Sequence, residues 1–304
     1  MKKKSPAKSA RAVRGRRPLI GKLVIFGVGL IGGSFALALK KHRAVAQVVG
    51  VGRSRANLLA ARRLGVIDEI ATDPALAVKD ADLVLLAVPL GQTRAVLAQI
   101  APHVAPHTVI SDAGSTKRDV IDSARRQLGG AFARFVPAHP IAGTEKSGAG
   151  AAFAELFEGR NLILTPVAET SARALRLVTA AWKLAGMRIL KMDAAQHDRV
   201  FALVSHLPHL LSFTAVGNIA GYRDAAKLFA QTGGGFRDLT RIAGSSPEMW
   251  RDICIANRDA ILAALDGYLS DLESVRGMVE ASDGAALQAK FAMARAARAK
   301  WLKP

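Results

Sequence analysis

The sequence predicts a doubly wound, mostly parallel α/β sheet over residues 19–191 and an all-helical domain over residues 192–304. Up to residue 191, short apolar runs rich in β-branched residues alternate with helical segments, which is typical of strands buried on both faces of a parallel sheet. From Asp193 onward, only long segments with helical periodicity follow. A chain of 304 residues is long enough for two such domains.

Strands and helices alternate along the first domain, which implies right-handed crossovers between parallel strands. Its strands are predicted at Lys22–Val28, Val48–Gly52, Ala81–Val88, Thr108–Asp112, Phe135–Ala138, Asn161–Pro166 and Met187–Lys191. Its helices are predicted at Leu30–Lys41, Ala56–Leu64 and Thr93–Ile100. The helices of the second domain are predicted at Ala195–His206, His209–Gly221, Pro247–Glu280 and Ala285–Ala299.

The chain is strongly basic, with a formal net charge of 43 − 24 = +19. Residues 1–18 contain eight lysines and arginines and no acid, so this tail is predicted to be a solvated, disordered extension. The remaining 19 − 8 = +11 favours an anionic partner. Because aromatic content is only 5% and no helix-turn-helix signature is present, we expect an anionic small molecule and no nucleic acid.

Neither export nor membrane insertion is expected. Leu23–Leu39 carries no charge, but four glycines interrupt it, and a strand, a glycine turn and a helix explain it better than a membrane span. The single cysteine, Cys254, excludes an internal disulfide and favours a reducing compartment, so a cytoplasmic location is predicted.

A glycine-rich turn follows the first predicted strand and opens the first predicted helix. In this context the first glycine permits the tight turn, the second lets the backbone approach a pyrophosphate, and the third packs the helix on the strand. The sequence therefore predicts a Rossmann-like dinucleotide-binding domain. The expected cofactor-binding residues are Gly27, Gly29, Leu30, Ile31 and Gly32, together with Val88 and Pro89 after a later strand.

The end of the second predicted strand indicates which dinucleotide is bound. A carboxylate is expected there if NAD is preferred, because it binds the ribose 2′-hydroxyl. This chain instead has Arg53, Ser54 and Arg55. A guanidinium can bind a 2′-phosphate in bidentate fashion, so the sequence predicts NADP as the preferred cofactor, with NAD as the alternative.

Two further segments contain the residues expected to carry chemistry. His139 follows an apolar strand at the sheet edge where ligands collect in open α/β folds, which suits a general base. Ser115 follows a neighbouring strand, and either binds in the site or caps a helix. In the helical domain, Ser205 and His209 flank a proline without the carboxylate spacing of a metal site, so no metal is predicted. Arg241 follows a run of glycines that suggests close approach to a ligand.

Taken in order, four motifs resemble the prephenate/arogenate (cyclohexadienyl) dehydrogenases of tyrosine biosynthesis. They are His-Pro-Ile-Ala-Gly-Thr-Glu from His139, Ser-His-Leu-Pro-His from Ser205, Gly-Gly-Gly-Phe-Arg-Asp-Leu-Thr-Arg ending at Arg241, and Met-Trp-Arg-Asp around Trp250. The resemblance implies NAD(P)-dependent oxidative decarboxylation of prephenate or arogenate, with release of CO2.

The resemblance also implies roles for individual residues. His139 would take the proton of the substrate C4 hydroxyl, with Ser115 orienting the histidine and the nicotinamide. Arg241 would anchor a substrate carboxylate. A homodimer built on the helical domain is implied as well, in which the partner subunit supplies Trp250. The other residues implied to line the substrate site are Thr144, Glu145, Ser205 and His209.

Two alternatives stay open on sequence grounds. One is another dehydrogenase that joins a Rossmann domain to a helical one, of the β-hydroxyacid or pyrroline-carboxylate type. The other is a nucleic-acid-binding redox sensor that uses the Rossmann domain to bind a dinucleotide, which the high positive charge would suit.

Overall fold

The computed structural model describes residues 17–144 and 146–302. Most of the predicted basic tail, residues 1–16, lies outside the described residues, as does Glu145. The main sheet has six parallel strands in the order β3-β2-β1-β4-β5-β6. They are β1 Ile20–Phe26, β2 Val45–Val51, β3 Glu69–Ile70, β4 Leu83–Leu86, β5 Val109–Asp112 and β6 Phe135–Val136.

The central strands of this sheet are buried on both faces, as their apolar runs predict. On β1, Leu23 and Ile25 point into one hydrophobic core, whereas Val24 and Phe26 point into a second core on the opposite face. The side chains of a strand alternate between faces, so only a run that is apolar at every position can serve two cores. The predicted doubly wound class is confirmed.

A second, three-stranded sheet corrects one predicted strand. Phe135–Ala138 is predicted as one strand, but Pro137 separates β6 from β7, Ala138–Pro140, which belongs to the second sheet. There β7 pairs antiparallel with β8, Asn161–Leu164, and β8 pairs parallel with β9, Arg188–Lys191. Proline has no N–H to donate to a ladder, which is why the chain changes sheet at this point.

Six α-helices connect the strands, and the first spans the residues predicted for it. Gly29 precedes it in extended backbone, and Lys40 and Lys41 lie in its last turn, where positive charge interacts favourably with the helix dipole. The second and fourth helices are also predicted by the sequence, whereas the other three are not. The six are α1 Leu30–Lys41, α2 Arg55–Arg63, α3 Pro74–Val78, α4 Leu90–Ile100, α5 Arg118–Leu128 and α6 Ala172–Leu184.

From residue 194 onward, the described chain contains helices and turns and no strand. The segment predicted as one helix, Pro247–Glu280, is divided at Asn257. Conversely, two segments predicted as separate form one continuous run joined by a π-helical turn, Ala202–His206. The helices are α7 Ala194–Phe201, α8 Leu207–Ala220, α9 Ala225–Ala230, α10 Gly234–Thr240, α11 Pro247–Ala256, α12 Arg258–Glu280 and α13 Gly284–Trp301.

The helical region leaves much apolar surface uncovered in a single chain. The run Ala194–Ala220 is long and apolar enough to cross a membrane by length and composition alone, and only 28% of its most apolar window is buried. Large exposed apolar side chains also lie on α12 and α13, namely Leu262, Leu269, Leu272, Phe291 and Met293. One copy of the chain therefore does not cover this region's apolar faces.

Candidate active site

The glycine turn after β1 leaves a space that suits a diphosphate. Gly27 has φ of +91°, and a Cβ there would lie 2.3 Å from the carbonyl oxygen of Ala87. At Gly32, a Cβ would lie 2.4 Å from the carbonyl oxygen of Gly27. A Cβ at Gly29, by contrast, would meet open space, on the side from which a ligand can approach the backbone.

The start of α1 completes this cradle. Gly29 is its N-cap without a side-chain hydrogen bond, and the first turn contains no acid, so Leu30 and Ile31 present backbone N–H groups without a competing carboxylate. Such a helix start attracts phosphate. Val88 and Pro89 lie half-buried beside it, because β4 pairs with β1. The predicted cofactor residues of these two strands therefore meet at one edge of the sheet and fit a dinucleotide.

The end of β2 carries the three residues predicted to select the cofactor. Arg53 and Arg55 are exposed, and Arg53 lies beside Gln92 of α4. The Ser54 hydroxyl accepts a hydrogen bond from the backbone N–H of Asn57 at 3.2 Å, so it also caps α2. The cationic groups are thus free to meet an anion, whereas Ser54 also has a structural role.

His139 lies within β7, opposite Ile163 of β8, and is held by a second histidine. This position is in the small sheet, three residues beyond the main sheet's last strand rather than at its edge as predicted. Nδ1 of His139 lies 2.8 Å from Nε2 of His197, and Nδ1 of His197 lies 2.8 Å from Oδ1 of Asp198. We call these three residues the His–His–Asp chain.

The His–His–Asp chain fixes where the protons reside. A carboxylate only accepts, so Nδ1–H of His197 donates to Asp198 and leaves Nε2 of a neutral His197 as an acceptor. Nδ1–H of His139 then donates to that acceptor. Nε2 of His139 is left with its lone pair, which is the tautomer that a general base requires.

Asp198 is anchored across the boundary between the sheet and the helices. Its carboxylate accepts from the backbone N–H groups of Lys117 at 2.8 Å and Arg118 at 3.0 Å, and from Nε of Arg118 at 3.1 Å. Burial raises the pKa of Asp198, but the hydrogen bonds from His197, Arg118 and Lys117 outweigh burial and hold this pKa below its ordinary value. The charge that orients His197 is therefore kept ionised.

A buried lysine lies beneath the same histidine. The ammonium of Lys117 is completely buried, pairs with Asp112 and donates to the carbonyl oxygen of Ala138 at 2.8 Å. Burial is the main cause that lowers the pKa of His139 well below 6.5, with added repulsion from His197, Lys117 and His206. His139 is consequently neutral and able to accept a proton throughout the neutral pH range.

On the helical side, the π-helical turn brings Ser205 and His209 together. Nδ1 of His209 donates to the carbonyl oxygen of Ser205 at 2.9 Å, which leaves Nε2 of His209 as an acceptor. Burial lowers the pKa of His209 and outweighs the raising effect of the Ser205 carbonyl, with Arg241 lowering this pKa further.

Trp250 lies in the same group of side chains, with its ring 3.7 Å from that of His209 at an angle of 21°. The two rings belong to one chain, and Trp250 is 8% exposed. That a partner subunit supplies a tryptophan to the site stays a prediction. The indole N–H has no acceptor among the described residues, so Trp250 keeps a free donor at the site.

The remaining predicted residues that the structure describes are Arg241, Thr144 and Ser115. Arg241 is exposed and begins the 3₁₀ turn Arg241–Gly244 after α10. Thr144 is exposed, and its hydroxyl accepts from the backbone N–H of Lys146 at 3.2 Å. Ser115 is half-buried and does not cap α5, whose N-cap is Lys117. Glu145 lies outside the described residues.

Sequence reasoning missed His197, Asp198 and Lys117. His197 and Asp198 lie in the predicted helix Ala195–His206. Their hydrogen-bond partners, among them His139 and Lys117, lie about 60–80 positions earlier in the chain. The adjacent His-Asp pair in the first helix of the second domain is the local sequence feature that could have marked these two residues as part of a site. A lysine five residues after a strand-ending aspartate gives no indication that it is buried.

The fold and this site fit one class: a two-domain, nicotinamide-dependent dehydrogenase in which a histidine of one domain contacts a histidine of the other. Residues 35–191 match the prephenate dehydrogenase nucleotide-binding domain, and residues 193–293 match the prephenate dehydrogenase dimerization domain. The chain belongs to the prephenate dehydrogenase family, and the sequence-based resemblance is confirmed.

Individual relatives support this family membership. The chain is 38% identical to the cyclohexadienyl dehydrogenase of Zymomonas mobilis, over 91% of this chain and 94% of that protein. It is also 38% identical to the prephenate dehydrogenase of Bacillus subtilis, over 90% of this chain and 74% of that protein. The crystal structure of Aquifex aeolicus prephenate dehydrogenase with hydroxyphenyl propionate and NAD+ superposes with a TM-score of 0.86 at 33% identity, covering 92% and 98%. The crystal structure of Synechocystis arogenate dehydrogenase superposes with a TM-score of 0.76 at 27% sequence identity, covering 92% of this chain and 100% of that one.

Proposed function

We propose that this protein catalyses the NAD(P)-dependent oxidative decarboxylation of prephenate, arogenate or both, forming 4-hydroxyphenylpyruvate or tyrosine with release of CO2. The observation that carries this proposal is His139, held by His197 and Asp198 as a neutral base with a free Nε2. Residues 19–191 would bind the dinucleotide, and residues 192–304 would supply the opposite wall of the substrate site.

His139 has the central role in the proposed reaction. Its Nε2 accepts the proton of the substrate C4 hydroxyl while C4 loses a hydride, which the bound nicotinamide accepts. The ring carboxylate then leaves as CO2, and its electron pair aromatises the ring. The phenol oxygen recovers the proton from His139, so protons and electrons balance. Ser115 is proposed to help orient the substrate and the histidine.

Positive charge and hydrogen-bonding groups would hold the anionic substrate. Arg241 is proposed to bind a carboxylate, which attracts a guanidinium more strongly than a neutral group does. His209, Ser205 and Trp250 would contact the substrate from the helical side, and Thr144 and Glu145 from the loop after β7. These groups position the ring for hydride loss and do not themselves exchange protons.

NADP is proposed as the preferred cofactor, with NAD as the alternative. The exposed guanidinium groups of Arg53 and Arg55 support this preference, because they lie after β2, where the adenosine ribose binds in such folds. A homodimer is proposed as well, since the region that matches a dimerization domain carries the uncovered apolar faces. The single cysteine supports a cytoplasmic location.

Initial rates test the reaction directly. Purified protein would be given prephenate or arogenate, each with NAD or NADP, and the absorbance of the reduced nicotinamide followed. We expect the strongest signal with NADP, and the stronger substrate names the natural one. A signal with NAD alone would contradict the cofactor preference while leaving the reaction standing. No signal in any of the four mixtures would contradict the proposed function.

The substitution His139→Asn tests the base. It removes the proton acceptor, so we expect kcat to fall on the order of a hundredfold or more while cofactor binding is retained. His107→Asn, at an exposed histidine of the same domain, serves as the matched control and should keep full activity. Equal kcat values for His139→Asn and the wild type would remove His139 from the reaction.

A further inference from the structure

Three elements meet around the guanidinium of Arg53. With the Gln92 carboxamide turned so that its oxygen faces the arginine, this oxygen accepts from Nη1 at 3.2 Å and from Nη2 at 2.9 Å. The Glu248 carboxylate of α11 lies 3.8 Å from Nη2. The end of β2, the first turn of α4 and the first turn of the helical-domain helix α11 thus contribute one side chain each.

Glu248 is carried by a helix that is fixed against the dinucleotide-binding domain. The helix α11 lies against α4, where Asp252 accepts a hydrogen bond from the backbone N–H of Gly91 at 3.1 Å. A Cβ at Gly91 would lie 2.8 Å from that carboxylate, so the approach is close. Trp250 is buried on the same helix. The position of Glu248 near Arg53 is therefore set by the docked helix rather than by the side chain alone.

The contact leaves the arginine available to a ligand. The side chains of Arg53 and Glu248 are 71% and 50% exposed, and 3.8 Å is too long for a direct hydrogen bond. A phosphate that binds Arg53 would add up to two negative charges beside the existing carboxylate, whereas a ribose hydroxyl adds none. The carboxylate therefore acts differently on the two forms of the dinucleotide.

We propose that Glu248 is a specificity-determining residue that opposes the 2′-phosphate at Arg53, so that the helical domain reduces the preference for NADP that the arginines create. This inference rests on the proposed use of NAD(P). It assigns cofactor selection to residues of both domains, with Arg53 attracting the phosphate and Glu248 repelling it. Gln92 holds the guanidinium between the β2 end and α11.

The test is the binding of NAD+ and NADP+ by isothermal titration calorimetry, with full-length wild type and Glu248→Gln and without substrate. We expect the ratio Kd(NAD+)/Kd(NADP+) to rise roughly three- to tenfold in Glu248→Gln at low ionic strength. The difference should shrink as salt is raised to about 0.5 M, because the effect is electrostatic between exposed groups.

A matched control is available on α12. Glu273 lies in the same domain, is exposed and pairs with Arg276 at 3.1 Å, so Glu273→Gln makes the same charge change away from this cluster. The ratio Kd(NAD+)/Kd(NADP+) of Glu273→Gln should equal that of the wild type. A ratio in Glu248→Gln that is unchanged, lowered, or matched by Glu273→Gln would overturn the assignment of Glu248. Failure of the wild type to bind either nucleotide would overturn the dinucleotide function and this inference together.

Discussion

The His–His–Asp chain and two exposed arginines, Arg53 and Arg241, differ in how firmly the protein itself holds each side chain in place. His197 and Asp198 are buried, and each polar atom that orients His139 has its partner within hydrogen-bond distance. Arg53 and Arg241 are exposed on turns. A buried polar network loses much if one member is removed, whereas an exposed cation gains its partner only when an anion binds.

This difference separates two kinds of function. In the proposed reaction the base must be held in place before the substrate binds, because a wrong tautomer or ring angle of His139 would prevent proton transfer. The anion-binding groups can stay solvated, because they act on charge and need less exact geometry. Changes in the first group are therefore expected to affect kcat, and changes in the second to affect KM.

The largest effect is expected from breaking the His–His–Asp chain at His197. His197→Leu removes the acceptor that fixes the tautomer of His139, so we expect kcat to fall by about a hundredfold with KM nearly unchanged. His197→Gln can offer an oxygen to His139 and an N–H to Asp198, and should recover a large part of that loss. Steady-state kinetics of both variants measures this. Equal losses in the two variants would indicate a role in packing alone.

A smaller effect is expected at Arg241, and it should fall on KM rather than on kcat. Arg241→Ala removes a charge-assisted contact of about 1.5–3 kcal/mol, so KM for the substrate should rise at least tenfold while kcat changes less. Arg223→Ala, at another exposed arginine of the helical domain, is the control and should leave KM unchanged. If Arg241→Ala lowered kcat and left KM unaltered, the division between the two groups of residues would be wrong.

The smallest effect is a pH dependence of stability that only the buried side of the cleft should show. Burial lowers the pKa of His206 to about 4, against 6.5 when unfolded. Because the unfolded state binds the proton first, this contribution to stability is fully present above pH 6.5 and is lost as the pH falls towards 4.

The variant His206→Gln tests this dependence. Between about pH 7.5 and pH 5.5, His206 should account for roughly 1 kcal/mol of lost stability, which His206→Gln should not lose. Urea unfolding at several pH values gives the two curves. Parallel curves for the variant and the wild type would show that His206 does not stay neutral in the folded protein.

Local patterns in the sequence predicted much of this molecule. Leu30–Lys41 is recovered residue for residue, because a glycine turn and two terminal lysines mark its ends. The two-faced burial of β1 follows from its unbroken apolar run. His139 also stood out, because it follows an apolar strand and opens the His-Pro-Ile-Ala-Gly-Thr-Glu motif.

The parts that escaped prediction depend on contacts between distant segments. His139 and His197 are 58 residues apart in the chain. Asp198 accepts a hydrogen bond from the backbone N–H of Lys117, which lies 81 residues earlier. No local period encodes such pairings. Lys117 is similar, because a long cationic side chain normally indicates a surface position. The division of Phe135–Ala138 between two sheets depends on Pro137, a signal that the apolar pattern concealed.

The π-helical turn at Ala202–His206 has a consequence for how this protein can vary. An inserted residue rotates everything after it by about 100° around the helix axis relative to what precedes it. Loss of a single codon within this turn would restore a regular α-helix and swing His209 away from Trp250, although neither residue would be changed. The local helix would survive such a deletion, while the wall of the cleft would not. Within this helix, chain length is therefore under the same constraint as the identity of the side chains.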